Sequence, residues 1–339
     1  MLRIFTDREL VSKQNRKIIF PLLFDLCYIK NIHLLKSYSL VNSILESDIV
    51  IVPVDIGHYF KNNEQDYLYS FIDNALMLGK KVWVYTAGDF GITLKKEVYT
   101  FRLGGFESKF DDKTFILPSF ISDPYVDSKK AFIPIAKKDK PRIGFVGHAS
   151  NTFLKKLKEF SIYGIHNLKR FKKTIFSDYQ YFYPSSIKRF KCLMAYKQNQ
   201  FIETDFIFRD KYRAGAVNSI DRENTSKVFF DNIFENPYTF CLRGVGNFSV
   251  RFYEVLAMGR IPVVVYTDFR LPLAQRISWE NHCVIVSEQN YVTDFISFHK
   301  RINQIEFEQM QINNRKLWLN LLTREAFFIE IHTIFKELI

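Results

Sequence analysis

Short runs of β-branched and aromatic residues alternate along the chain with longer stretches whose apolar positions recur every three or four residues. Arg3–Thr6, Asp48–Val54, Lys81–Thr86 and Thr114–Leu117 read as strands, and Glu64–Leu78 reads as a helix between two of them. Residues 127–141 break the pattern with five lysines, two prolines and no period, as an interdomain connection does. The alternation then restarts, with strands expected at Arg142–Val146, Phe201–Ile207, Thr239–Leu242, Ile261–Tyr266 and Cys283–Val286. The run from Ile261 is apolar almost throughout, which suits a strand buried on both faces of a parallel sheet. From Phe307 to Ile339, the residues Leu317, Leu321, Phe328, Ile331 and Phe335 fall at near-helical spacing and predict one or two amphipathic helices. Strands alternating with helices predict an α/β fold with doubly wound parallel sheets, whose ligands sit at the carboxyl ends of the strands. The expected division is 1–126, a linker at 127–141, a second unit at 142–310 and terminal helices at 311–339.

A length of 339 residues with 47% hydrophobic content exceeds one ordinary core and supports two. The 35 phenylalanines and 18 tyrosines are first of all large core side chains, with a sugar-stacking surface as the alternative. Cys27, Cys192, Cys241 and Cys283 match neither a disulfide framework nor a metal-ligand spacing, so a reducing compartment and no metal site are expected. The segment MLRIFTDREL is not a secretory leader, and no run reaches the roughly 18 apolar residues of a membrane span. The chain is therefore expected to be soluble and cytoplasmic, or to have lost an anchor.

The net charge of +12 is concentrated: Lys155 to Lys197 holds eleven Lys/Arg against Glu159 and Asp178 alone. Phe160, Tyr163, Phe171, Tyr179 and Tyr181 interleave with these cations. Three readings follow. The segment is a solvated helix face, it binds nucleic acid through phosphates and stacking, or it is attracted to anionic lipid headgroups, which places the protein peripherally at the cytoplasmic face of the inner membrane.

Polar groups suited to chemistry concentrate in residues 240–288. Arg243 leads through Gly244 and Gly246 to Ser249, a candidate helix cap, and then to a short helix bearing Arg251 and Glu254 that Gly259 stops. A helix N-terminus beside two guanidiniums suits a diphosphate. By itself the loop reads first as a turn before a capped helix. It lacks the Gly-Lys-Ser/Thr of an NTPase phosphate loop and the third glycine of a dinucleotide fingerprint.

The whole run carries more. Ser249 to Glu254 (SVRFYE), Met258 to Val263 (MGRIPV), Asp268, Leu271-Pro272 and Trp279 together resemble the nucleotide-sugar half of exostosin-like glycosyltransferases. The likeness is specific from about Asn224 to Glu288. Further landmarks fall in the family's order: Ser47 to Asp55 (SDIVIVPVD), Lys113 to Pro118 (KTFILP) and Arg142 to Gly147 (RIGFVG). Arg260 departs from it, standing where many members have cysteine, and no proline accompanies Leu242-Arg243.

The resemblance implies the GT-B architecture: an N-terminal Rossmann-like acceptor domain, a C-terminal Rossmann-like nucleotide-sugar domain facing it across a cleft, and C-terminal helices that cross back over the junction. It implies an inverting glycosyltransferase that moves a sugar from a nucleotide diphosphate, UDP favoured, to a hydroxyl of a glycan or lipid-linked acceptor in bacterial surface polysaccharide synthesis. Such a reaction needs a base for the acceptor proton and cations for the leaving diphosphate. Asp55, at the end of an expected strand, is the first candidate base and His58 the second, while Asp55 is equally placed to cap the next helix. Arg243, Arg251 and Ser249 are expected on the diphosphate and Glu254 on the ribose, with Gly147, His148 and Arg209 as further donor contacts. Arg213 reads as surface charge. Asp89, in Thr86 to Gly91 (TAGDFG), is an acceptor contact or part of a glycine turn. No Asp-x-Asp triplet occurs, so arginines and a helix dipole are expected in place of a divalent metal, and no cofactor beyond the nucleotide sugar is implied.

The alternatives are a GDP-fucose-type fucosyltransferase, which Phe234-Glu-Asn236 resembles, a catalytically silent sugar-binding relative, and a basic nucleic-acid-binding protein. On these residues no nucleic-acid partner is expected.

Overall fold

The computed structural model of the chain describes residues 1–128, 130–209 and 219–339. The first unit is a six-stranded sheet built from β1 (Leu2–Phe5), β2 (Tyr38–Leu40), β3 (Ile49–Ile51), β4 (Lys81–Thr86), β5 (Tyr99–Arg102) and β6 (Thr114–Ile116). Its order is β2-β1-β3-β4-β5-β6 with every neighbouring pair parallel, so the winding reverses between β1 and β3. All three residues of β3 are fully buried, as its unbroken apolar run requires. The helices α1 (Pro21–Phe24), α2 (Ile32–Ser37), α3 (Ile56–Lys61) and α4 (Gln65–Met77) connect these strands. Leu68, Ile72 and Ala75, four and then three residues apart, form the buried stripe of α4, and Gly79 at φ +69° stops it just beyond Leu78.

After α5 (Pro124–Ser128) and the connection, the second unit contains β7 (Arg142–His148), β8 (Glu203–Arg209), β9 (Tyr238–Cys241), β10 (Ile261–Val265) and β11 (Val284–Val286). They form a second all-parallel sheet in the order β11-β10-β9-β7-β8. Its helices are α6 (Phe153–Phe171), α7 (Ser185–Gln198), α8 (Ser219–Glu235), α9 (Val250–Ala257), α10 (Tyr291–Arg301) and α11 (Gln304–Leu317). A π turn at Trp318–Leu322 leads into α12 (Arg324–Leu338). Among the described residues no helix is long and apolar enough to cross a membrane.

The helix α12 returns to the first unit and completes its core. Phe335 lies 4.5 Å from Trp83 and 4.8 Å from Tyr99 between ring centroids, and Phe328 lies 6.0 Å from Phe20. The buried Tyr38 hydroxyl donates to the Phe328 carbonyl at 2.6 Å, and Arg324 Nε donates to Asp25 at 2.7 Å. Two parallel α/β units facing one another, with a C-terminal helix crossing back, constitute the GT-B architecture.

The connection is pinned by Arg260. Its fully buried guanidinium donates to the carbonyls of Phe234 (2.8 Å) and Ile133 (3.0 Å) and lies against the rings of Phe132 and Phe234. Burial lowers its pKa to about 10. Arg260 thus ties the linker to the second unit.

Two strands escape the sequence pattern. β2 is three residues long and includes Ser39, and β5 ends in Arg102, whose burial is decided by partners distant in sequence.

Phe335→Ala removes a ring from the first unit's core and is expected to cost about 3–5 kcal/mol, read as a lowered Tm. A variant that melts with the parent would show that α12 is not part of this core.

Candidate functional site

The carboxyl ends of both sheets face each other, and the loop after β5 meets the loop after β9. A Cβ on Gly104 would stand 2.7 Å from the Asn247 carbonyl oxygen, and one on Gly246 would collide with the Asp89 carbonyl, so only glycine permits these backbones to touch. The Asn247 amide is shared among the carbonyls of Gly105 (2.9 Å), Thr267 (2.7 Å) and Asp268 (3.0 Å). Asp268, held at φ +57°, accepts from the backbone N–H and hydroxyl of Ser108 across the junction. Arg102, also buried, pairs with Asp178 of the second unit at 2.9 Å. Beneath this seam lies a cavity of about 30 Å³ bordered by Arg243, Asn247, Ser249, Phe252, Thr267 and Leu271, room for about two waters.

Three arginines converge at the ends of β7 and β9. Arg243 follows β9 and is buried, its guanidinium 4.6 Å from the Tyr183 ring centroid and 5.5 Å from that of Phe106. It donates to the Val245 carbonyl at 2.8 Å and to Gln180 at 3.3 Å. Arg189, on α7, donates to the carbonyls of His148 (2.8 Å) and Arg243 (3.2 Å). Arg251, in the first turn of α9, lies 4.3 Å from the Phe145 ring and donates to the Val146 carbonyl at 2.8 Å. Burial brings the pKa of both Arg189 and Arg243 down to about 10, with Arg251 adding repulsion at Arg189. Neither Arg189 nor Arg243 forms an ion pair among the described residues, and the Nε of each is buried with no hydrogen-bond partner there. Desolvated cations held only by carbonyls and rings favour an incoming anion.

The sequence-predicted donor residues fall around this cluster with differing roles. Ser249 occupies the N-cap position of α9, but its hydroxyl accepts no bond from the first turn, so the expected capping is positional only. Gly147 serves Arg251: a Cβ there would lie 2.8 Å from the guanidinium. The His148 ring bonds the Arg209 carbonyl through Nδ1 at 3.0 Å, leaving Nε2 buried without a partner among the described residues. The Arg209 guanidinium turns to α8 and donates to the Thr225 carbonyl at 2.8 Å. Glu254 is half-buried one turn along from Arg251. Arg213 lies outside the described residues.

Asp55 is the N-cap of α3. Its Oδ1 accepts from the N–H groups of Gly57 (3.2 Å) and Ala87 (2.9 Å), so the capping reading is realised. Burial raises its carboxyl above the ordinary range, opposed by those two bonds. The Ala87–Asp89 turn that bonds Asp55 is the same turn whose Asp89 carbonyl touches Gly246, which sets the carboxylate one turn away from the loop after β9. His58 points along α3, with Nε2 3.1 Å from the Asn62 amide and 4.0 Å from Glu64. The Asp89 side chain is exposed between Gly88 at φ +83° and Gly91 at φ +66°, a glycine turn. Among the described residues no three His, Cys, Asp or Glu side chains are grouped as metal ligands.

Sequence reasoning missed Arg189 and Glu288. Arg189 was submerged in the basic stretch, although it shares α7 with the buried Ile187, Cys192, Leu193 and Tyr196. Glu288, just past β11, accepts from Lys188 at 2.8 Å and from the Tyr183 hydroxyl at 3.2 Å, which holds the ring that Arg243 lies on. Its only signal was an acidic residue following a strand end.

No protein-family model matches the chain, and no curated protein matches it in sequence. Among solved structures, a glycosyltransferase from Rickettsia africae ESF-5 is similar over 97% of both chains at 14% identity and a TM-score of 0.40. The GtfA/B complex is similar over 84% of this chain and 56% of its own at 10% identity and a TM-score of 0.40. TarM is similar over 85% of this chain and 54% of its own at 8% identity and a TM-score of 0.36. The chain spans about half the length of the last two.

A carboxyl whose pKa is raised on folding stabilises the fold only when protonated, and that contribution is lost as pH rises through the folded pKa. Asp55→Asn keeps a cap oxygen without the buried charge. The variant is expected to be no less stable than the parent at neutral pH, its advantage vanishing in acid where both states are protonated. Thermal melts against pH check this, and a variant less stable at neutral pH contradicts it.

Proposed function

We propose that the chain is an inverting glycosyltransferase that transfers a sugar from a nucleotide diphosphate, UDP favoured, to a hydroxyl of a glycan or glycolipid acceptor. The observation that carries the reading is the group of desolvated arginines at the ends of β7 and β9, where Arg189 and Arg243 have no carboxylate partner among the described residues. A diphosphate supplies the missing negative charge, and the N-terminus of α9 adds N–H donors beside it. The exostosin-like subtype rests on the motif from Ser249 to Trp279, as do UDP, inversion and the role of Glu254 on the ribose.

In the step proposed, the acceptor oxygen forms a bond to the anomeric carbon as the bond from that carbon to the diphosphate oxygen breaks. The acceptor proton passes to Asp55, and the electron pair leaves with the diphosphate, whose growing charge Arg243 and Arg251 stabilise. The raised pKa of Asp55 suits a base that must hold a proton after attack. The second N–H bond to Ala87 orients the carboxylate and is compatible with its capping of α3.

A thermal-shift screen of UDP, GDP, CMP and dTDP is expected to single out UDP, with Arg243→Ala weakening that binding on the order of tenfold to a hundredfold. Stabilisation by none of the four would remove the nucleotide-sugar reading, and stabilisation by GDP alone would favour the fucosyltransferase alternative. Asp55→Asn should abolish transfer while leaving UDP affinity unchanged, and full activity would shift the role of base to His58. Transfer is expected to persist in EDTA; complete loss there would overturn a metal-independent mechanism.

A further inference from the structure

The helix α6 is built inside out. Its polar side faces the protein: Arg170 donates to the carbonyls of Ser177 and Asp178, Tyr163 bonds the Tyr179 hydroxyl at 2.8 Å, and His166 meets Phe90 edge-on at 4.8 Å. Its apolar side faces solvent. Phe153, Leu154, Leu157, Phe160, Leu168 and Phe171 lie within about one half of the helix circumference, and Phe171 is 86% exposed and Leu154 77%. None of the 19 residues is buried. A large contiguous apolar face on a protein surface marks a site of association.

The charge says with what. Residues 153–173 carry seven Lys/Arg against a single acid, Glu159. Lys155, Lys158 and Lys169 run along one border of the apolar face, with Lys156 on the other and Lys172 and Lys173 just past its end. An apolar strip flanked by cations over about 28 Å of helix is the pattern of an element that lies in the plane of a bilayer surface. A second copy of the chain would set these cations against their own kind, whereas anionic headgroups neutralise them.

We propose that α6 docks this protein on anionic phospholipid bilayers, its apolar side chains entering the headgroup boundary while the lysines meet lipid phosphates. Because α6 bridges to Phe90 of the first unit and its polar side packs on Ser177–Tyr179, docking there holds the mouth of the junction at the membrane surface. The inference stands on the surface of α6 alone and is independent of whether sugar is transferred.

The test is co-sedimentation of the full chain with vesicles of equimolar phosphatidylcholine and phosphatidylglycerol, with pure phosphatidylcholine vesicles alongside. Binding is expected only to the anionic vesicles, and is expected to fall at least about tenfold in a Leu157→Glu/Leu168→Glu double variant. The Tm of that variant should match the parent, since both side chains are solvent-exposed. A Lys156→Gln/Lys158→Gln variant, which leaves the apolar face intact, should weaken binding and reduce its salt sensitivity. Equal binding to neutral vesicles, binding to neither, or undiminished binding of the double variant overturns the proposal. So does a dimer of the parent that the double variant converts to monomer.

Discussion

Everything at the junction depends on the approach of two backbones at Gly104 and Gly246, where a single added carbon would force the units apart. That closeness lets one amide, Asn247, satisfy carbonyls from both units. With the strand ends held this near, the side chains they carry lose water. Arg102 keeps a carboxylate partner in Asp178, but among the described residues Arg189 and Arg243 are left to carbonyls and aromatic rings. A cation so placed is costly to the folded protein and receptive to an anion, two expressions of one electrostatic fact.

Much of the fold was legible because it is written locally. The unbroken apolar run at Ile261 needs burial on both faces, and the spacing of Leu68, Ile72 and Ala75 needs a helix with one buried stripe. β2 and β5 were illegible because contacts remote in sequence hold them in place: Tyr38 bonds Phe328, and Arg102 pairs with Asp178. The candidate site divides the same way. Arg243 and Arg251 announce themselves beside glycines and a helix start. Arg189 looks like one more surface cation until the fold turns it inward, and Gly147 looks like a phosphate cradle until Arg251 is found lying against it.

Asp55 and Ser249 show that position and role are separate questions. Each sits at the N-cap of a helix, yet Asp55 spends an oxygen on capping while Ser249 does not. The basic stretch after Lys155 likewise resolves into two populations. Arg189 is half-buried and turned toward the strand ends, and Lys188 is tied to Glu288, while the lysines of α6 border a face that the described residues leave exposed. Local pattern and global packing disagree at α6, and such conflicts tend to fall where a protein meets something else.

The return of α12 to the first unit has a consequence in time. Tyr38, Trp83 and Asp25 leave the ribosome some three hundred to two hundred and forty residues before the helix that completes their surroundings. At ordinary elongation rates that interval lasts on the order of tens of seconds. During it the first sheet must persist with an open apolar flank, a nascent-chain surface suited to a chaperone. The first unit is thus synthesised before the second, yet it is not finished until α12 arrives.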